Sequence, residues 1–357
     1  MTVPHSSTGD KPRSSGRDPE IADVHETPEL EPNSISIGQK LRSPQTIVSF
    51  LIAFALIIFI FRNLDLNVGE IWLNIRGSNP VYLVLGFAVY YGSFPLRAMR
   101  WRRLLNNAGI TREQGFDVPG LRGLSEIYVL SWFANCVVPA KLGDAYRGYL
   151  LKKHAHTSFG RTIGTIFAER VMDVFALVTL LLISSMVVFR GSLPASLRLP
   201  VFAGIALVVL GGLGLAGLFL FGARLRQIVP VRIRPVYERV EHGVTTSFSR
   251  QGLLGVAVLT SIVWIMEGLR LFLVAAAFGV ELSPASSLLV ALLASLLTIM
   301  PLTPAGLGVV EGGTIIALKL LSVGAIDAGS IAIVDRIIAY WSVIVVGAVL
   351  YLVTKRK

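Results

Sequence analysis

Residues 199–223 read Leu-Pro-Val-Phe-Ala-Gly-Ile-Ala-Leu-Val-Val-Leu-Gly-Gly-Leu-Gly-Leu-Ala-Gly-Leu-Phe-Leu-Phe-Gly-Ala, without one charged side chain. A helix needs about 20 mostly apolar residues to cross the hydrocarbon core of a bilayer, and this run is long enough. Comparable runs occupy 44–61, 77–96 and 337–354; 162–189 carries charge only in its first half, and 252–280 holds only Glu267 and Arg270. The whole composition agrees: 53% of residues are hydrophobic, 15% are charged and the mean hydropathy is +0.67, where soluble domains carry roughly 25% charged residues. So little charge cannot cover a water-facing domain. A soluble enzyme and a mostly disordered chain are therefore excluded, and an all-α polytopic membrane protein is predicted. The lone Cys136 removes a disulfide framework and any multi-cysteine metal site.

Two further apolar segments do not read as simple spans. Residues 124–139 are interrupted by Glu126 and followed by Lys141, Asp144 and Arg147, while 282–310 is broken by Pro284, Pro301 and Pro304. Arginine and lysine mark cytoplasmic loops. Residues 97–122, 147–161 and 224–250 are rich in both, as is the C-terminal 355–357. If 97–122 and 147–161 share a face, the segment between them enters and leaves on that face as a re-entrant hairpin. The expected architecture is six spans, a second hairpin at 284–322 entering from outside, and cytoplasmic N- and C-termini. The net charge of +11 is then explained by topology and lipid-headgroup attraction, and nucleic-acid binding is unnecessary. Residues 1–43, rich in Ser, Pro and Thr with five basic and seven acidic residues, are expected to be a retained, disordered cytoplasmic tail. The membrane domain is expected over 44–354.

A short repeat supports two related halves. Pro139-Ala-Lys-Leu-Gly143 and Pro304-Ala-Gly-Leu-Gly308 match at four of five positions, and Glu169-Arg170 and Asp335-Arg336 follow at nearly the same offset. The three spans between the hairpins invert one half relative to the other, which is the plan of many transporters whose broken helices meet near the midplane. Pro139 and Pro304 stop helices. Gly143, Gly306 and Gly308 permit unusual backbone and close approach. The competing reading is a pair of ordinary kinked helices.

Four stretches carry a resemblance: Arg97-x-x-Arg100-Trp101, Pro139-Ala-x-Leu-Gly-Asp-x-x-Arg147, Glu169-Arg170-x-x-Asp173 and Pro304-Ala-Gly-Leu-Gly-Val-Val-Glu311-Gly. In this order they resemble the flippase-like membrane family typified by the transmembrane half of lysylphosphatidylglycerol synthase, the multiple-peptide-resistance factor. The resemblance covers 44–354. It implies a bacterial or archaeal inner-membrane protein that moves a lipid headgroup between leaflets, the lipid being an anionic phospholipid or a polyprenyl phosphate. That synthase carries a soluble acyltransferase domain after its membrane half; here the sequence ends at Lys357, so aminoacyl transfer is not expected of it, and a separate lipid-modifying synthase partner is left open.

Ionisable groups inside a membrane are costly and usually face a partner or a cavity. Arg170 and Asp173 share a helix face, as do Glu267 and Arg270; each pair either neutralises itself or serves a substrate. Arg147, Arg170, Arg270 and Arg336 all fall at the hairpins or their packing helices. The arginine fork suits phosphate, so some of them are expected to converge on a lipid phosphate in a shared cavity, with Glu169 and Asp173 beside them. Asp144 and Glu311, just past the hairpin tips, suit a cationic headgroup or a proton; helix-start stabilisation competes with that reading. Arg97 and Arg100 with Trp101 read as an interfacial anchor. No phosphate loop, metal-ligand spacing or fixed catalytic triad is present, so neither cofactor, metal nor catalytic residue is expected. Two alternatives stand beside a flippase: a membrane-embedded glycosyl or acyl transferase, and an accessory subunit of a synthase.

Overall fold

The computed structural model describes residues 44–63, 67–138, 142–191, 194–231, 233–248, 252–298 and 303–355. The expected tail and Pro139 lie outside them. Thirteen helices are described: α1 (Pro44–Asn63), α2 (Val68–Gly77), α3 (Pro80–Asn107), α4 (Leu121–Val137), α5 (Gly143–Ala155), α6 (Phe159–Phe189), α7 (Ala195–Ile228), α8 (Arg234–Ser247), α9 (Leu253–Ala277), α10 (Pro284–Leu297), α11 (Val309–Leu320), α12 (Ala325–Arg336) and α13 (Ser342–Lys355). One wide π turn, Ile337–Trp341, joins α12 to α13 without a break.

Helices α3, α6, α7, α9 and the continuous α12–α13 are long and apolar enough to cross a membrane, and α1 adds a twenty-residue apolar helix. The protein is a multi-pass, all-α membrane protein. α7 shows the physical reason: Phe202, Leu210, Leu213 and Leu220 point away from the rest of the fold and are exposed, a surface that lipid tails cover without penalty. The two short segments behave as hairpins, with α4 packed on α5 and α10 packed on α11.

Two boundaries differ from the sequence reading. The second span is not 77–96: it starts at Pro80, where the Asn79 side chain caps the helix by accepting from Val81 N (3.0 Å), and it continues past Arg97 and Arg100 to Asn107. The last span starts at Ala325 rather than at 337. Both extensions have one cause: the arginines and the aspartate that looked like span ends are neutralised inside the protein.

α3 and α9 form the most extensive helix pair, and α6, α10 and α4 pack around them. α8, which follows α7, lies along α6, where a Cβ built on Gly164 would stand 2.7 Å from Gly243 Cα. Only glycine allows that approach. Arg226 closes the same corner on Glu241 (3.0 Å).

Candidate functional site

At the meeting of both hairpins with α3, α6, α9 and α12 lies a cavity of about 400 Å³. Four arginines line it, and each lies over an aromatic ring. Arg97 and Arg170 flank Trp132, with Cζ 4.9 and 5.7 Å from the ring centre; Arg270 stands 5.3 Å over Tyr90 and Arg336 stands 4.9 Å over Tyr340. The rings hold the planar cations by stacking. Two of the three rings are themselves fixed by hydrogen bonds: Tyr90 donates to Ala339 O (3.0 Å) and Tyr340 donates to Cys136 O (2.9 Å).

Each lining arginine also meets a carboxylate. Arg170 grips Asp144 with two bonds (2.8 and 2.7 Å) and reaches Asp173 one turn along its own helix (3.3 Å). Arg270 grips Asp335 (2.7 and 3.1 Å) and pairs with Glu267, which also pairs with Arg97. Arg336 takes Glu311 (2.9 Å) and Ala305 O (3.0 Å). The intrahelical pairs of the sequence reading are therefore present, and each extends across helices. Charge-assisted forks of this kind are about twice as strong as neutral hydrogen bonds.

Behind the wall lies a second layer. Glu169 is wholly buried and accepts from Arg100 (2.8 Å), Arg147 (3.2 Å to each oxygen) and Tyr128. Arg100 also donates to Asp173 (2.5 Å). Arg147 lies between the Trp101 and Tyr128 rings, 4.8 and 4.4 Å from their centres. Isolated buried charges of this sort are expensive, and only dense mutual pairing makes them tolerable.

The expected binding residues therefore divide. Asp144, Arg170, Asp173, Arg270 and Arg336 line the cavity. Arg147, Glu169 and Glu311 do not: Glu311 holds Arg336 and Arg147 stands 3.9 Å from Asp144, while Glu169 holds Arg100 and Arg147 one layer further back. The expected anchor is corrected outright: Arg97, Arg100 and Trp101 are 5%, 0% and 0% exposed, because carboxylates on α6 and α9 receive both arginines and Thr165 Oγ1 accepts from the Trp101 indole (3.3 Å). Arg97 reaches the cavity itself. Nothing in the sequence distinguishes Tyr90, Tyr128, Trp132 and Tyr340, since an aromatic residue in an apolar run carries no mark of its role.

Both hairpin tips are built around their glycines. Gly143 N donates to Asn135 Oδ1 and Ser131 Oγ donates to Gly143 O, each at 2.8 Å. In the second hairpin the Pro304–Gly306 turn places Ala305 at φ +46, Gly306 at +73 and Gly308 at +89. Glu311 accepts from Gly308 N (2.6 Å), so it both caps α11 and holds Arg336. The acid after each tip thus meets the arginine of each acid-arginine pair: Asp144 with Arg170, Glu311 with Arg336. Likewise, α3 sends Arg100 to Glu169 as α9 sends Arg270 to Asp335.

The family description "Lysylphosphatidylglycerol synthase TM region" matches residues 46–347, which takes in both hairpins and every charged pair of the cavity. The chain belongs to this synthase transmembrane-region family. Among its relatives, a UPF0104 membrane protein of Methanocaldococcus jannaschii is 32% identical over 226 residues, covering 63% of this chain and 95% of the relative. A UPF0104 membrane protein of Methanothermobacter thermautotrophicus is 24% identical over 301 residues, 78% of this chain and 87% of its own length. The glycosyltransferase AglD of Haloferax volcanii is 23% identical over 353 residues, 88% of this chain but 55% of AglD. Within the synthase transmembrane-region family this chain is thus similar to most of the length of two UPF0104 membrane proteins and to about half of a longer protein named a glycosyltransferase.

Proposed function

We propose that the protein moves the headgroup of a phosphate-bearing lipid between the two leaflets of a bacterial or archaeal cell membrane. The observation that carries the reading is the row of four arginines stacked on aromatic rings around one cavity between two helical hairpins. Arginine forks are the side chains best matched to phosphate, and irregular backbone such as the Pro304–Gly306 turn is tolerated at membrane depth where it lines a cavity. We read the matching pairs, Asp144–Arg170 with Glu311–Arg336 and Arg100–Glu169 with Arg270–Asp335, as an inverted repeat whose halves rock about the cavity. The phospholipid or polyprenyl-phosphate substrates expected from sequence both fit this scheme.

The test is a leaflet-resolved assay in proteoliposomes. Arg170→Gln and Arg336→Gln should each lower the rate per folded, inserted molecule at least tenfold; wild-type rates in both variants would sink the reading. The similarity to AglD favours one alternative, a membrane-embedded transferase. It is distinguished by product formation in detergent, where leaflets no longer exist.

The same reading fixes a topology, with both hairpins re-entrant and both termini cytoplasmic. Arg122 and Lys153 are exposed at the two ends of the first hairpin. In a Cys136→Ala background, Arg122→Cys and Lys153→Cys should be labelled from the same side of the membrane. Labelling from opposite sides means that the segment crosses.

A further inference from the structure

The helix that carries Asp335 and Arg336 changes partners part-way along. α12 packs on α9 and α11, on the side of the second hairpin, whereas α13 packs on α4 of the first hairpin. The wide turn Ile337–Trp341 stands between them, with Ser342 N bonded to Ile337 O, one residue further back than in an α-helix. Two carbonyls of the turn accept from hydroxyls: Ala339 O from Tyr90 (3.0 Å) and Ile338 O from Ser342 (2.5 Å). With its proton given to Ile338 O, Ser342 Oγ takes its bond with Tyr91 (2.8 Å) as the acceptor. Two successive tyrosines of α3 thus grip one turn. The matching pair Glu169-Arg170 lies in a helix that runs on in α-form to Phe189. An acid-arginine pair therefore reaches the cavity without a wide turn, and the turn after Arg336 is an addition to one half alone.

We propose that Tyr90, Tyr91 and Ser342 are positioning residues: their hydroxyls hold the turn wide, and the wide turn aims Asp335 and Arg336 at the cavity. One residue of an α-helix is worth about 100° of rotation and about 1.5 Å of rise. Closing the turn to α-register rotates α12 against α13 by that amount. α13 is the side that stays, since its Gly347 lies so close to α4 that a Cβ there would collide with Phe133. The rotation falls on α12 and swings Arg336 off Glu311 and Asp335 off Arg270, pairs now at 2.9 and 2.7 Å. It also draws Tyr340 away from Cys136 O, its acceptor at 2.9 Å. Such a joint has two discrete registers, as packed elements that switch generally do. In the translocation reading it is the joint between the moving halves, and that consequence rests on that reading; the register itself does not.

Cys136, the one cysteine of the chain, is buried and lines the cavity. Its labelling by a small methanethiosulfonate, in the full chain in nonionic detergent, therefore reports the state of the turn. The side chains of Tyr91 and Ser342 are not among those that line the cavity. Tyr91→Phe and Ser342→Ala should each raise the labelling rate roughly fivefold or more, the shift in an equilibrium that one hydrogen bond supplies. Ser342→Thr, which keeps the hydroxyl, should label as the wild type does. Amide hydrogen exchange should rise in step over residues 337–346 and not along α7. Wild-type labelling in both variants overturns the proposal, and so does exchange that rises equally in every helix, because that is a general loss of stability. In proteoliposomes, Ser342→Ala should lower the rate of lipid movement per folded, inserted molecule by a similar factor. A wild-type rate beside accelerated labelling overturns the positioning role. If the wild-type protein moves no lipid, the translocation reading fails, and labelling and exchange alone decide whether these hydroxyls set the register.

Discussion

Glu169→Leu is expected to lower the stability of the folded protein by about 3–5 kcal/mol, the cost of removing one partner from a buried ion pair. Glu169 receives two arginines and a tyrosine at full burial. Without it, the carboxylate left to Arg147 among the described residues is Asp144 at 3.9 Å, while Arg100 retains Asp173. The asymmetry between the two arginines makes a second variant decisive. Arg147→Met together with Glu169→Leu removes both charges and refills the volume, and replacement of a buried pair by apolar groups is often neutral or stabilising. Thermal unfolding in detergent should therefore show the double variant recovering most of the loss. If the double variant is as unstable as the single one, packing around Glu169 and not charge pairing is what matters there.

Gly143→Val should be nearly as severe. A Cβ at Gly143 would collide with Ser131 O and stand 2.6 Å from the Asn135 side chain, the two residues that close the first hairpin tip through hydrogen bonds at 2.8 Å. Overpacking costs about 1–3 kcal/mol, and each hydrogen bond lost adds about 0.5–1.5 kcal/mol. Because the tip also positions Asp144 on Arg170, the variant should lose lipid binding even at temperatures where it remains folded. Gly143→Ala, with the smaller side chain, should fall between the two. Full lipid binding by a stable Gly143→Val protein would show that the hairpin tip is not coupled to the cavity.

The membrane fold was legible because hydrophobic thickness imposes a length on every span, and charge-free runs such as 199–223 display it directly. The two Pro-Ala-x-Leu-Gly motifs fall where the chain forms pairs of short helices, Leu121–Val137 with Gly143–Ala155 and Pro284–Leu297 with Val309–Leu320. What failed was the reading of Arg97 and Arg100. Charged residues at the end of an apolar run look alike whether they meet headgroups or carboxylates, and the partner that decides is 170 residues away for Arg97 and 69 for Arg100. A signal did exist in the spacing. Arg97-x-x-Arg100 and Glu267-x-x-Arg270 recur at one offset, and both sit within apolar helices. Local spacing also could not separate Arg170, which lines the cavity, from Arg147, which lies wholly behind it, since both follow the same hairpin within one turn or two of a carboxylate. That distinction is made by the aromatic rings of Trp101 and Tyr128 closing over Arg147.

The shared carboxylates have a consequence for how this family diverges. Glu267 serves two arginines on two helices, and Glu169 serves two more. Any single change of charge at these positions passes through a protein with an orphaned ion in its interior. Descendants that altered the cavity by such a route would be lost to misfolding before a new lipid preference was exposed to selection. Relatives should therefore differ at these positions two at a time, with opposite signs, or not at all, so that a change of cargo comes as a correlated double replacement and not as drift.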